Sequence, residues 1–125
     1  MSTRTHYDSE GKSVTLTLSA GIEAREAVYV NGWLGIAVTD GESGDNRAIN
    51  IAREEYQFQI PNSLNPDVGA IVYVTLASVV GHSIPPGALS LTSGAGKRAL
   101  FKTTAARYGG ADDWYVPGIL LLDEV

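Results

Sequence analysis

Two short apolar runs in this sequence flank a dipeptide that favours a tight turn. Residues 28–30 form the first run, Asn31-Gly32 follows, and the second run extends from Trp33 to Val38. Asparagine and glycine both adopt positive φ easily, which a type I′ turn requires at its two central positions. The stretch therefore predicts an antiparallel β-hairpin.

Strand-like alternation continues on both sides of this hairpin. Residues 14–18 alternate apolar and hydroxyl side chains, which predicts a first strand. Ile49 and Ile51 fall on odd positions, whereas Tyr56, Phe58 and Ile60 fall on even positions. One straight strand would turn these two sets to opposite faces, so we expect a bulge or bend near residues 53–55.

The remaining sequence predicts short strands separated by loops. Residues 70–80 are apolar at both odd and even positions, and many are β-branched or aromatic, which favours a central buried strand over a helix. Further strands are expected at residues 88–91, 98–105 and 118–122, and loops at residues 61–69, 82–96 and 107–113. The first loop has room for at most about one helical turn. About eight short strands with almost no helix predict an all-β fold, either a β-barrel or a β-sandwich.

Length and composition favour a single packed domain. The chain has 125 residues, of which 44% are hydrophobic and 18% charged, and we place the domain at residues 13–125. Residues 1–12 are polar and without periodicity, so they are predicted to form a flexible, extended arm that could reach roughly 40 Å. The sequence contains no cysteine, so stability must come from packing or assembly.

Charge and hydropathy exclude two classes of partner. Fourteen acidic and nine basic side chains give a net charge of -5, and the basic residues are scattered. A nucleic-acid-binding face is therefore not expected. No segment is long and apolar enough for a membrane span, and residues 1–11 lack the hydrophobic region of a signal peptide, so neither membrane insertion nor export is expected.

The sequence contains parts of known catalytic and phosphate-binding motifs, but none of these motifs is complete. Gly81-His82-Ser83 begins like a nucleophile elbow, but Pro85 takes the place of the last glycine. Residues 94–97 resemble part of a phosphate loop, but Arg98 stands where serine or threonine is needed. His6 and His82, the two histidines, show no ligand-like spacing. We assign no catalytic, cofactor-binding or metal-binding residue and expect no enzymatic activity.

Acidic residues cluster in two loops. Asp40, Glu42 and Asp45 could hold a calcium ion, although their spacing does not match an EF-hand and such residues are common turn formers. Asp112 and Asp113 could form an acid–base pair, but adjacent carboxylates usually diverge into solvent. A solvated loop is the favoured interpretation of both.

Aromatic side chains are the candidates for a binding surface. Aromatics fill cores but are also enriched at protein interfaces. Trp114 and Tyr115 follow a loop rich in glycine and aspartate, which favours an interface role for this pair. The residues predicted to form the interface are Tyr7, Trp33, Tyr108, Trp114 and Tyr115.

The order of these segments resembles a known family. Gly35-Ile36-Ala37 closed by Asp40, a strand that reaches Pro61, and Gly69 followed by Val72-Tyr73 match its pattern of strands and turns. The chain resembles the capsid cement, or head-decoration, proteins of tailed bacteriophages over residues 13–76, and the second half lacks the resemblance.

The resemblance implies a structural virion protein. Such a protein binds the outer surface of the assembled capsid and stabilises the shell by adding contacts. The implied partner is the major capsid protein, and a homo-oligomer is expected, with a trimer ahead of a dimer. Synthesis would occur in the host cytoplasm. Two alternatives stay open: a tail or neck β-protein, and a carbohydrate or small-ligand module that stacks ligands on Trp33, Trp114 and Tyr115.

Overall fold

A computed structural model describes residues 12–111 and 113–121, and the fold within these ranges is all-β. Its ten strands are β1 (Ser13–Thr17), β2 (Ala27–Val30), β3 (Trp33–Ala37), β4 (Asn46–Asn50), β5 (Glu55–Ile60), β6 (Ile71–Thr75), β7 (Leu89–Ser90), β8 (Lys97–Thr103), β9 (Tyr108–Gly110) and β10 (Asp113–Leu120). Two 3₁₀ turns, Leu76–Ser78 and Pro86–Ala88, complete the elements. The predicted arm, apart from Lys12, lies outside the described residues.

The strands form two antiparallel sheets that pack as a β-sandwich. One sheet has the order β1-β4-β3-β2, and the other has the order β5-β10-β8-β6-β7 with β9 also paired to β10. The prediction of an all-β barrel or sandwich is confirmed as a sandwich. The strands number ten rather than about eight, and the two 3₁₀ turns lie outside the loop where one helical turn was allowed. No helix in the described ranges is long and apolar enough to cross a membrane.

The predicted hairpin is present as β2 and β3. Val30 pairs with Trp33, and the two residues between them are Asn31, with φ 48°, and Gly32, with φ 88°. Both φ angles are positive, as a type I′ turn requires. The prediction made from Asn31-Gly32 is confirmed.

Two separate cores explain why the apolar residues lie at odd positions in β4 and at even positions in β5. Ile49 faces a smaller core on the outer side of the four-stranded sheet, whereas Phe58 faces a larger core between the two sheets. The chain crosses from one sheet to the other after Asn50. At this crossing the Asn50 side chain accepts a hydrogen bond from the Ala52 N–H and contacts the Tyr56 hydroxyl. The predicted bend is thus a crossing between sheets.

The larger core contains residues of both sheets. Leu34 and Ile36 of the four-stranded sheet meet the stacked rings of Phe58 and Phe101, whose centroids are 3.9 Å apart. The smaller core is formed by residues of the four-stranded sheet and of the segments that border it: Leu18, Ile22, Val28, Val30, Ala37, Ile49 and Ile51. Strands β2 and β3 are therefore packed on both faces, which suits a scaffold, whereas β1 has one exposed face.

Several predicted boundaries were wrong. The loop expected at residues 107–113 contains β9. The strand expected at residues 70–80 ends at Thr75, because the chain enters the 3₁₀ turn Leu76–Ser78. The last strand was expected from Gly118 but begins at Asp113 and includes Pro117. Proline usually interrupts a central strand because it lacks an N–H. Here Pro117 faces the junction between β8 and β9, where its C=O accepts a hydrogen bond from Thr104 N–H at 3.0 Å.

Candidate interaction surface

Two of the predicted interface residues meet on the outer face of the six-stranded sheet. Tyr108 of β9 pairs with Tyr115 of β10, and their rings stack with centroids 5.9 Å apart and an interplanar angle of 23°. Tyr108 is 48% exposed. Since side chains alternate along a strand and Val116 is buried in the larger core, Tyr115 must face outward. The two rings form an accessible aromatic platform.

The platform continues into a mixed surface along β10 and β5. Pro117 and Ile119 share the outward side of β10 with Tyr115 and are partly buried. Across the ladder, Gln59 pairs with Tyr115 and Gln57 pairs with Pro117, and both glutamines are exposed. We define the tyrosine face as Tyr108, Tyr115, Pro117, Ile119, Gln57 and Gln59. It combines aromatic and aliphatic area with uncharged polar groups.

Trp114 lies beneath this surface. Its ring packs against the larger core, and the Arg107 guanidinium stacks over it at 3.9 Å from the ring centroid. Arg107 also donates hydrogen bonds to the C=O groups of Asn62 and Leu64 at 2.9 and 3.0 Å. The Trp114–Arg107 pair therefore fastens the loop after β5 to the β9–β10 hairpin.

Trp33 does not join the platform, and Tyr7 cannot be placed. Trp33 is 38% exposed, but it lies at the turn of the β2–β3 hairpin in the other sheet. Tyr7 lies outside the described residues. Of the four predicted interface residues that the structure describes, the fold thus brings Tyr108 and Tyr115 together on this platform. Their pairing could not be predicted from the sequence, because residues 107–113 were interpreted as a loop.

The acidic turn after β3 uses its carboxylates to hold the backbone. Asp40 accepts a hydrogen bond from Ala24 N–H at 2.7 Å, and Asp45 accepts one from Glu42 N–H at 2.9 Å. Arg47 also forms an ion pair with Asp45 at 3.1 Å. Across residues 12–111 and 113–121, no group of three or more potential metal ligands comes together. The geometry favours the turn-forming interpretation of these residues.

His82 is buried and joins two segments of the four-stranded sheet. Its Nδ1 lies 3.1 Å from the Tyr29 C=O, and its Nε2 accepts a hydrogen bond from Ser19 N–H at 3.0 Å. The Ser19 hydroxyl is 3.2 Å from the same Nε2, which superficially resembles a nucleophile–base pair. However, the single lone pair of Nε2 already accepts the backbone N–H, so the arrangement is a structural link. Ser19 and His82 are 63 positions apart, and no sequence signal connects them.

The remaining sequence motifs also have structural partners. The Ser83 hydroxyl donates to the Glu26 carboxylate at 3.0 Å, and Glu26 also accepts Glu23 N–H at 2.8 Å. The Lys97 ammonium donates to the Ser90 hydroxyl and to the Thr92 C=O, each at 3.2 Å. Asp113 opens β10, and Asp112 is outside the described residues. Among the described groups of this set, the contacts are structural ones that hold turns and strand ends.

Comparison of the chain with protein-family models, with curated proteins and with solved structures finds no match. Functional inference therefore depends on the surfaces of the molecule itself and on the pattern of residues 13–76.

Proposed function

We propose that this protein is a structural virion protein that binds the outer surface of a bacteriophage capsid and stabilises the shell. The observation that carries the proposal is the stacked pair of exposed Tyr108 and half-buried Tyr115 on the outer face of the six-stranded sheet. The resemblance of residues 13–76 to capsid cement proteins supports the major capsid protein as the proposed partner.

The tyrosine face has the properties of a surface for stable contact. Tyrosine is enriched at interfaces because its ring buries a large area, its hydroxyl can form a hydrogen bond, and few rotatable bonds must be fixed. Here the two rings already support each other, so little conformational entropy remains to be lost on binding. The net charge of -5 does not favour nucleic acid and is compatible with a protein partner on the outside of the shell.

Repetition on a lattice amplifies modest contacts. A homo-oligomer, with a trimer expected ahead of a dimer, would present several tyrosine faces to neighbouring capsid subunits. Linked binding events act at a high effective concentration, so the complex can hold tightly although each single contact is weak. The mechanism adds contacts between subunits and requires no chemical step.

The proposal is tested with purified protein and capsids that lack it. We expect co-sedimentation with the shells and an increase in their resistance to heat and to chelation. Tyr108→Ser should weaken binding about tenfold, because the exposed ring contributes to contact rather than to the core. Removal of residues 1–12 should also weaken binding. The control is Val38→Ser, since Val38 is 51% exposed and lies directly after β3, away from the tyrosine face.

Shells of equal stability with and without the protein would contradict the stabilising role. Binding to tails or necks instead of heads would assign the protein to the alternative class of phage structural proteins. The carbohydrate module predicted on Trp33, Trp114 and Tyr115 has less geometric support, because Arg107 stacks on the Trp114 ring and Trp33 lies in the other sheet.

A further inference from the structure

Strand β5 has an open edge. Along β10, the backbone groups of alternate residues point to β5 and to β8. Leu120 N–H bonds to Glu54 C=O before β5, whereas Pro117 C=O accepts a bond from Thr104 N–H beside β8. Tyr56 and Phe58, which pair with Gly118 and Val116, therefore direct their backbone groups to β10. The N–H and C=O of Gln57 and Gln59 must point away from the sheet, and no described residue pairs with them.

The edges of β2 and β7 are covered or short, whereas β1 is a second edge strand, of five residues. Residues 82–84 cover the edge of β2, where Tyr29 N–H bonds to His82 C=O and Ile84 N–H bonds to Ala27 C=O. Strand β7 has two residues. Exposed edge strands are normally protected by lysine, proline, bulges or covering segments, because they readily pair with another chain. The six residues of β5 include no lysine and no proline, and Pro61 follows directly after the strand.

A groove of about 880 Å³ lies beside this open edge. Four consecutive residues of β5, from Tyr56 to Gln59, line it, which places the groove at the strand edge rather than over one face. Its apolar lining includes Ala27, Ile36, Phe58, Ile84, Leu89 and Leu100. Pro85 and Pro86 on its lining offer no N–H, so the ladder partner in this groove is β5. We call this feature the β5 groove.

One cation stands at the rim of the β5 groove. Arg25 lines the groove, is exposed, and has φ 72°, an unusual angle for a residue other than glycine. No described residue forms an ion pair with it, whereas the neighbouring Glu26 carboxylate already accepts bonds from Ser83 and Glu23. Those two donors are neutral, so they hold the Glu26 carboxylate in place without removing its charge. Arg25 is the cation at this rim, and its guanidinium can pair with an acidic group on whatever occupies the groove.

We propose that the β5 groove binds an extended peptide segment of another protein chain, which adds to the sheet as a strand on β5. Alternate apolar side chains of the peptide enter the groove, and an acidic side chain pairs with Arg25. The backbone of Gln57 and Gln59 supplies the hydrogen bonds, as in other cases of strand addition. A segment about as long as β5, or roughly 20 Å, fills the site. This inference does not rest on the proposed capsid function, although Gln57, Gln59 and Tyr115 belong to both the β5 groove and the tyrosine face.

The probe is a fluorescein-labelled peptide of alternating threonine and valine that ends in glutamate, with binding measured by fluorescence anisotropy. Gln57→Pro removes the outward N–H but leaves the β5–β10 hydrogen bonds intact, because residue 57 does not bond to β10. We expect this variant to bind the peptide at least about tenfold more weakly. Gln57→Thr keeps the N–H and is the matched control, and thermal unfolding of both variants checks the fold.

The contribution of Arg25 is tested by reversing both charges. Arg25→Glu should weaken binding of the glutamate peptide and strengthen binding of the same peptide ending in lysine. This reversal separates an electrostatic contact from a general loss of structure, since a misfolded groove would bind neither peptide.

Equal binding by Gln57→Pro and the unaltered protein overturns strand addition, as does the absence of binding by the unaltered protein. A dimer that Gln57→Pro dissociates, without peptide binding, would assign the edge to a second copy of the chain and would also overturn the proposal. Capsid binding is measured separately, so failure here is distinguishable from failure of the proposed function.

Discussion

The two hairpins of this protein differ in how many of their faces are buried. In the β2–β3 hairpin, Val28 and Val30 face the smaller core, whereas Leu34 and Ile36 face the larger one. In the β9–β10 hairpin only one face is buried, and Tyr108 and Tyr115 stack on the other. A hairpin buried on both faces cannot offer its apolar side chains to a partner without losing core contacts. A hairpin with one open face can bind and stay folded.

Each hairpin also depends on a glycine, for related reasons. A Cβ on Gly35 would lie 2.5 Å from the Asn50 C=O oxygen and 2.6 Å from Ile49 Cγ2. A Cβ on Gly109 would collide with the Asp113 C=O oxygen, and Gly109 also has φ 121°. The collisions are alike, but Gly35 is enclosed between two cores whereas Gly109 is exposed. The comparison teaches that the surroundings of a residue decide whether strain spreads or stays local.

The largest effect is expected for Gly35→Ala. The new methyl group would force β3 away from β4, and both cores would have to shift with it. We expect a loss of about 3 kcal/mol in the free energy of unfolding, measured by urea denaturation. Gly21→Ala is the control, because its Cβ would meet only Gly41 O at 3.7 Å, an ordinary contact. Equal losses in the two variants would contradict the argument from close approach.

A smaller loss is expected for His82→Ala, which removes the link beside the β2–β3 hairpin. The Ser19 N–H and the Tyr29 C=O would both lose their partner, and we expect a loss of about 2 kcal/mol. Ser19→Ala is the control, since it removes the hydroxyl but keeps the backbone N–H bond to Nε2. A Ser19→Ala loss as large as that of His82→Ala would contradict the assignment of this link to the backbone.

The hairpins also differ in how far the sequence predicts them. Asn31-Gly32 and the apolar runs around it are local signals, and local signals suffice when the turn itself fixes the register. The β9–β10 hairpin includes Pro117, and a proline in a sequence predicts the end of a strand. The structure accommodates Pro117 because it lies beside the junction between β8 and β9. The Tyr108–Tyr115 stack depends on that pairing, and the His82 link depends on residues far apart in the chain. Long-range pairing is the part that one sequence does not reveal.

The smallest effect on stability is expected for Gly109→Ala. Its Cβ cannot fit against Asp113, but β9 has three exposed residues and can detach while the core stays intact. We expect a loss of about 1 kcal/mol in the free energy of unfolding. The Tyr108–Tyr115 stack should be lost as well, with a reduced near-ultraviolet circular dichroism signal and weaker binding to capsids. Gly110→Ala is the adjacent control, because a Cβ there meets no atom within 4 Å. A Gly109→Ala loss as large as that of Gly35→Ala would mean that the open hairpin is as integral to the core as the buried one.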